Sequence, residues 1–479
     1  MLGAAGSALL ALASDLPASP FGPHAGGLWP FAGAGAAPSW EGPATPRWSE
    51  PANSGPGVPS GHLLVLAAAL MGVVLLVIAW LRLWRVVRAD PGLRFRNLWW
   101  VVAAWTAPLL FAAPLASQDI WTYAAQGKLV TSGSSSSSPL HLLGHSIWLS
   151  GVDPRYQTGS SIYGPGAVDL SALFATVSAG HPWIAVECWR LGVIAALVLC
   201  SWGVAAVAAA RGANPLEAVV AGVANPGVLI VFVGGIHNDA VMMGLVVAGI
   251  ALAVTKRPWW ALAIAALAVT VKAPAALAVL AIAWWCWKGV EWHRRAVALV
   301  ASLVLTLGAL LVTGLGCGGG FSWLRPASLG TVASSFSVLR LAGTTASGAV
   351  NLAQLMGILA AVVLVLLVPR GRSWVGALAV GFAAMALLAA NPQPWYLLWA
   401  LPVVACTFGN GGIQRAAILV LCAMTAWCAL PFGVLVWFAG IIALAVMWIR
   451  WRRSWQGLGL LPQPLPIVAD DAALLRPSR

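Results

Sequence analysis

From residue 62 to residue 453 one pattern repeats along the chain: an apolar run of about twenty residues, then a short segment carrying arginine or lysine. About twenty apolar residues, rising 1.5 Å each in a helix, cross the hydrocarbon core of a bilayer, so each run predicts a transmembrane helix. Residues 62–82 form the first clear span, ended by Arg82, Arg85, Arg88, Arg94 and Arg96. Cationic loops resist translocation, which puts this cluster in the cytoplasm. Residues 98–117 return to the outside and lead into a polar stretch that runs to His181. Spans follow at 183–209, 216–236, 240–255, 296–315, 347–369, 374–390 and 397–408, with two more before Arg450, Arg452 and Arg453.

One stretch departs from the pattern. Lys256 and Arg257 precede residues 259–287, Lys288, Arg294 and Arg295 follow them, and Val271-Lys272-Ala273-Pro274 interrupts the apolar run between. Basic ends on one side demand an even number of crossings, yet two crossings of about 14 residues are each too short to span. The segment therefore reads as a pair of short or re-entrant helices with Lys272 at the apex, where non-helical backbone is tolerated only against protein or a water-filled cavity. Residues 1–14 are apolar but short and lack a basic leader, so they read as a weak or truncated first helix. Residues 1–61 thus comprise that helix and a Pro/Gly-rich outer loop, 62–453 the membrane domain with a large outer loop at 117–182, and 454–479 a cytoplasmic tail. The expected fold is an all-α polytopic membrane protein of about 12–13 transmembrane helices, the short pair included.

Composition agrees. Of 479 residues, 60% are hydrophobic and 8% charged, against about 25% charged in an ordinary soluble domain; mean hydropathy is +0.88. That excludes soluble enzymes, disordered chains and disulfide scaffolds. The net charge of +13 would suggest nucleic acid in a soluble protein. Here all of the 26 basic residues except Arg47, Lys128, Arg155, Arg190, Lys272, Arg325 and Arg340 fall on the inner side, so no nucleic-acid partner is needed. Six of the seven cysteines lie in apolar runs, and no His/Cys cluster has metal-ligand spacing, so neither a disulfide framework nor a metal is expected.

Ionisable residues at or within a membrane are costly and so mark candidate sites. Asp119, in Ser117-Gln118-Asp119-Ile120-Trp121-Thr122-Tyr123, stands at the outer mouth of the 98–117 span. It either faces a water-lined pocket or caps a helix over Trp121 to Val130. His237-Asn238-Asp239, after Gly234-Gly235, is either a capped turn or a hydroxyl-binding cluster at the outer end of a helical hairpin. Lys272 must face a cavity, a partner or an anion. Arg190 has a simpler account, an ion pair with Glu187 at i, i−3. All four tyrosines, Tyr123, Tyr156, Tyr163 and Tyr396, fall at the outer side, whereas the 28 tryptophans occur at both interfaces. Trp and Tyr offer flat faces to sugar rings and a polar tip to their hydroxyls.

The string SQDIWTYAAQGKLV from Ser117 to Val130 resembles the first outer loop of the C-type, multi-spanning glycosyltransferases, and more narrowly the polyprenol-phosphomannose-dependent α-1,6-mannosyltransferases of actinobacteria. Val152-Asp153-Pro154, Tyr163-Gly164-Pro165, Asn225-Pro226 before GGIHNDAVMMG, Val271-Lys272-Ala273-Pro274 and QPWYLLW from Gln393 to Trp399 follow in the same order as in that family. Two departures stand out: Ser134 to Ser138 replaces an Asn/Asp-Pro-Tyr element, and Gly166 replaces an apolar residue after Tyr-Gly-Pro.

The resemblance implies a plasma-membrane, multi-pass, inverting mannosyltransferase with its active site on the extracytoplasmic side, using a polyprenyl-phosphate mannose donor and a lipid-linked mannoside acceptor. It carries the catalytic aspartate over to Asp119. Around that residue, Tyr123, Gln126, Tyr163, His237, Asn238, Asp239, Lys272, Arg325, Arg340, Trp395 and Tyr396 are the expected substrate-binding residues, among membrane lipids and without a cofactor. A carboxylate can deprotonate the acceptor hydroxyl, and fixed cations can stabilise a departing lipid phosphate. Lys272, Arg325 and Arg340 are the available cations. The alternatives are a secondary transporter or flippase of lipid-linked sugars, favoured by the broken helix at Lys272, and a scaffold without activity.

Overall fold

The computed structural model describes residues 1–15, 60–90, 92–115, 117–287, 291–316, 323, 347–367, 373–389, 393–407, 418–420 and 422. Among them every regular element is helical and none is a strand, so the chain is an all-α polytopic membrane protein. Three helices are long and apolar enough to cross a bilayer, a bent pair adds a fourth candidate, and shorter apolar helices pack between them. The expected outer loop before residue 60, the arginine-bearing loop with Arg325 and Arg340, the last two spans and the tail lie outside the described residues.

Helix α1 (Leu2–Asp15) lies against α2 (Ser60–Ala89). A Cβ on Gly6 would meet the Gly72 carbonyl oxygen at 2.6 Å, and one on Gly72 would meet the Gly6 oxygen at 2.8 Å. Small residues let these backbones approach, as is common where helices meet in lipid. Helix α3 (Phe95–Thr106) is shorter than the apolar run at 98–117 suggests, because Pro108 converts its end to a 3-10 turn over Ala107–Leu110.

Between α3 and His181, the polar stretch is folded more than its sequence suggests. Helix α4 (Asp119–Thr131) is followed by short turns, by the single-turn α5 (Pro154–Gln157) and by α6 (Pro165–Val177), an apolar helix that the reading of 117–182 as loop did not foresee. Pro165 at the first helical position starts it. Helix α4 crosses α6 where a Cβ on Gly127 would lie 2.1 Å from the Ser171 carbonyl oxygen.

Helix α7 (Pro182–Ala210) matches the expected 183–209 span. Helix α8 (Pro215–Gly222) is capped by Asn214, whose Oδ1 accepts from the N–H groups of Leu216 and Glu217. A π-helical segment over Val228–Gly234 then leads to α9 (Asp239–Val254), bent from it by 116°. Helices α10 (Pro258–Val271) and α11 (Ala276–Trp285) are the expected short pair, with Lys272 in extended backbone at the break. Helix α12 (Trp292–Gly316), α13 (Ser347–Leu366) and α14 (Trp374–Leu387) precede a 3-10 helix over Pro394–Trp399 and the short α15 (Leu401–Thr407).

Candidate active site

Three interruptions in the helical framework meet at one place: the turn before α9, the break between α10 and α11, and the 3-10 helix over Pro394–Trp399. Backbone freed from helices can carry side chains into the interior at angles a continuous helix does not allow. The segment from Leu115 to Asp119 arrives beside them, since the Leu115 N–H donates to the Gly234 carbonyl oxygen at 2.9 Å. Gly235 is required here, because a Cβ on it would lie 2.8 Å from the Leu115 oxygen and 2.5 Å from the Val231 oxygen.

Arg190 anchors the approach to this segment. Fully buried, it donates to the Leu109 and Ala112 carbonyl oxygens at 2.6 Å each and pairs with Glu187 at 3.1 Å. The Asp15 carboxylate accepts the Ala113 N–H at 3.0 Å. The ion pair expected from the i, i−3 spacing is present, with a second task added: it fixes the chain leading to Asp119.

Asp119 is the first residue of α4, not its cap. The N-cap position belongs to Gln118, whose side chain makes no capping bond, while the Asp119 N–H donates to Ser117 Oγ at 3.1 Å. The carboxylate stands at the positive end of the helix dipole, is 20% exposed, and places Oδ2 3.8 Å from His237 Nδ1. Burial pushes its carboxyl up to about 6; the Lys272 charge pulls it down, Asp239 pushes it up, the Ser117 hydrogen bond lowers it, and Asp153 raises it further.

Asp239 begins α9 in the same way but serves differently. It is fully buried, and Asn238 before it makes no side-chain cap. Lys272 Nζ donates to both Asp239 oxygens at 2.8 and 2.9 Å, and Trp399 Nε1 donates to Oδ1 at 2.6 Å. The partner that the position of Lys272 demands is therefore a carboxylate of the protein. Its ammonium also lies 4.9 Å from the Tyr396 ring centroid and 5.6 Å from that of Trp399.

The aromatic wall follows from helix type. A 3-10 helix has three residues per turn, so Tyr396 and Trp399 eclipse, and their rings stack at 4.2 Å and 23°. Trp395 points the other way and covers the His237 ring at 4.3 Å. Tyr123 meets Tyr163 edge to face at 4.7 Å and lies against Trp189 at 5.3 Å.

Gln126 is buried one layer behind. Its Oε1 accepts from Ser161 Oγ, which in turn receives the Tyr163 N–H. The Tyr-Gly-Pro-Gly loop is fitted to α10: Gly164 N–H donates to the Val271 oxygen at 3.2 Å, and a Cβ on Gly166 would meet Thr270 Oγ1 at 2.2 Å. Gly166 thus stands where a side chain would strike the end of α10 next to Lys272.

The structure brings together Asp119, His237, Asn238, Asp239, Lys272, Trp395 and Tyr396, with Tyr123, Tyr163 and Gln126 behind them. Arg325 and Arg340 lie outside the described residues. Sequence reading passed over Trp399 as a partner of Asp239 and Asp153 as a neighbour of Asp119. The three-residue spacing of Tyr396 and Trp399 after Pro394 was the available signal for the first.

A model of the family described as alpha-(1->6)-mannopyranosyltransferase, N-terminal domain, matches residues 27–288. Alpha-(1->6)-mannopyranosyltransferase A of Mycobacterium tuberculosis is 29% identical over 432 residues, covering 82% of this chain and 81% of that protein. The protein of the same name in Corynebacterium glutamicum is 32% identical over 225 residues, 45% of each chain. Alpha-(1->6)-mannopyranosyltransferase B of Corynebacterium glutamicum is 26% identical over 447 residues, covering 80% of this chain and 74% of its own.

Proposed function

This chain belongs to the alpha-(1->6)-mannopyranosyltransferase family, and from that premise we propose that it is an inverting mannosyltransferase working at the outer face of the plasma membrane. It takes mannose from polyprenyl-phosphate mannose and extends an α-1,6-mannan on a lipid-linked acceptor of the lipomannan type. The observation that carries this reading is Asp119: a partly exposed carboxylate at a helix N-terminus, facing His237, with its proton affinity raised to about 6. Such a group is ionised at neutral pH yet binds a proton well, as a general base requires.

In the reaction the acceptor hydroxyl oxygen attacks the mannose anomeric carbon from the face opposite the phosphate. A new carbon–oxygen bond forms, the bond to the phosphate oxygen breaks, and its electron pair leaves with polyprenyl phosphate. The hydroxyl proton passes to Asp119. One displacement turns a β-linked donor into an α-linked product. Lys272 is held by Asp239 and, with Arg325 and Arg340, is a cation available to the departing phosphate, while Trp395 and Tyr396 offer aromatic faces to a sugar ring.

The test is transfer of radiolabelled mannose from synthetic polyprenyl-phosphate mannose to an α-1,6-mannoside by the purified protein in lipid. Product should form with the wild type, and Asp119→Asn should reduce it by at least about 10²-fold without lowering the amount of protein in the membrane. Near-normal turnover by that variant would refute the assignment of the base.

A further inference from the structure

The His237 imidazole is fully buried, yet neither ring nitrogen has a hydrogen-bond partner among the described residues. Buried polar groups are nearly always bonded, so an exception calls for an explanation. Its Nδ1 faces Asp119 Oδ2 across 3.8 Å, too long for a hydrogen bond.

The backbone holds the ring in this place at a cost. Ile236, immediately before it, has φ of 55°. A β-branched residue in the left-handed region is strained by about 1–3 kcal/mol. The same turn is tied to the segment that carries Asp119 by the Leu115 N–H to Gly234 bond, and Trp395 closes over the ring from the other side. The two side chains are thus set opposite each other by bonds in their own backbones.

We propose that His237 is a positioning residue for Asp119: its Nδ1–H donates to Oδ2 when the site closes on substrate, turning Oδ1 toward the acceptor hydroxyl. This rests on the reading of Asp119 as the base. Hydrogen bonds at active sites are often long in the free protein and shorten in the complex. The imidazole is neutral with its proton on Nδ1, and as it is buried behind a partly exposed carboxylate it touches Asp119 rather than the sugar.

The charged and titratable groups around the pair are Asp239 and Lys272, which are bonded to each other, with Asp153, Tyr123, Tyr163 and Tyr396. None is altered by substitution at 237. A donor on Oδ2 favours the ionised carboxylate, so its loss raises the affinity of Asp119 for protons. In the wild type, turnover should fall below about pH 6 as Asp119 is protonated. In His237→Phe, which keeps a ring under Trp395, that acid limb should move to higher pH. At its optimum kcat should fall about 10- to 100-fold, with the KM values for donor and acceptor within about 2-fold of wild type. His237→Gln, which retains an N–H donor, should recover part of the rate and return the limb toward its wild-type place.

A raised acceptor KM with an unmoved limb in His237→Phe would overturn the proposal and make the imidazole a sugar ligand. Unchanged kinetics would overturn it as well. Nitrogen-15 NMR of histidine-labelled protein carries the test if a 237 variant does not fold or if the donor is of another kind. The wild type with bound acceptor should show one histidine protonated on Nδ1 that loses this state in Asp119→Asn. A histidine whose tautomer is the same in both proteins would overturn the pair. An inactive wild type that still shows the tautomer change would refute the donor assignment and support the positioning role.

Discussion

Replacing Lys272 by methionine leaves Asp239 in an interior that no longer neutralises it. Asp239 is fully buried and accepts three hydrogen bonds, two from Lys272 and one from Trp399. Removing one partner of a buried ion pair costs about 3–5 kcal/mol, because the other charge stays uncompensated. The Lys272 side chain is 16% exposed and the Trp399 bond survives, so the low end applies: about 3 kcal/mol, or roughly a hundredfold in an unfolding equilibrium. Asp239→Asn should cost less, about 1–3 kcal/mol, since the ammonium keeps some water and two aromatic faces. The double variant removes both charges and should be more stable than the sum of the singles predicts, by at least about 1 kcal/mol. Reversible unfolding in mixed micelles with increasing dodecyl sulfate measures all four corners of this cycle. Additive single effects, with coupling below about 0.5 kcal/mol, would refute the reasoning. A Lys272→Met protein of wild-type stability and raised donor KM would show that the lysine leaves Asp239 for the phosphate in the working enzyme.

Gly164→Ala should destabilise the protein by about 1–3 kcal/mol, since its Cβ would lie 2.1 Å from the Thr270 carbonyl oxygen on α10; an unfolding midpoint equal to wild type would show that the loop and α10 can separate freely. For orientation, a cysteine at Ser137 should react from outside with an impermeant thiol reagent, and one at Asp90 should react only after permeabilisation. The reverse pattern would put Asp119 on the cytoplasmic face.

Most of the framework was legible because membrane helices follow a simple rule, apolar length set against basic ends. The short pair over 259–287 was legible for the same reason: lysine and arginine at both ends left no room for two full spans. Helix α6 was not, since thirteen residues following Gly164-Pro165 are too few for a span and sit within a polar stretch. Candidate site residues were legible as types, because ionisable groups and tyrosines are scarce in this chain. Their pairing was not. Lys272 and Asp239 are 33 positions apart and Trp399 lies 160 from Asp239, so nothing local relates them. Asp119 and Asp239 each read equally well as a cap, and only the folded backbone shows that neither serves as one.

The contrast between these two aspartates explains how the fold separates support from chemistry. Each is the first residue of a helix, α4 for Asp119 and α9 for Asp239, where the dipole favours a carboxylate. That common setting cannot make one of them reactive. The difference lies in what faces them. Asp239 has its oxygens engaged by Lys272 and Trp399 across the other two interruptions, so its charge joins three broken elements. Asp119 has a hydrogen bond with Ser117, faces the edge of His237 at 3.8 Å, and keeps a fifth of its side chain exposed. The nearby pair still acts on it through space, with opposite signs, the lysine lowering its proton affinity and the aspartate raising it. A carboxylate left underbonded at the edge of a fully bonded one is the arrangement that a base requires: rigid surroundings, a raised affinity for protons, and an oxygen open to the incoming hydroxyl.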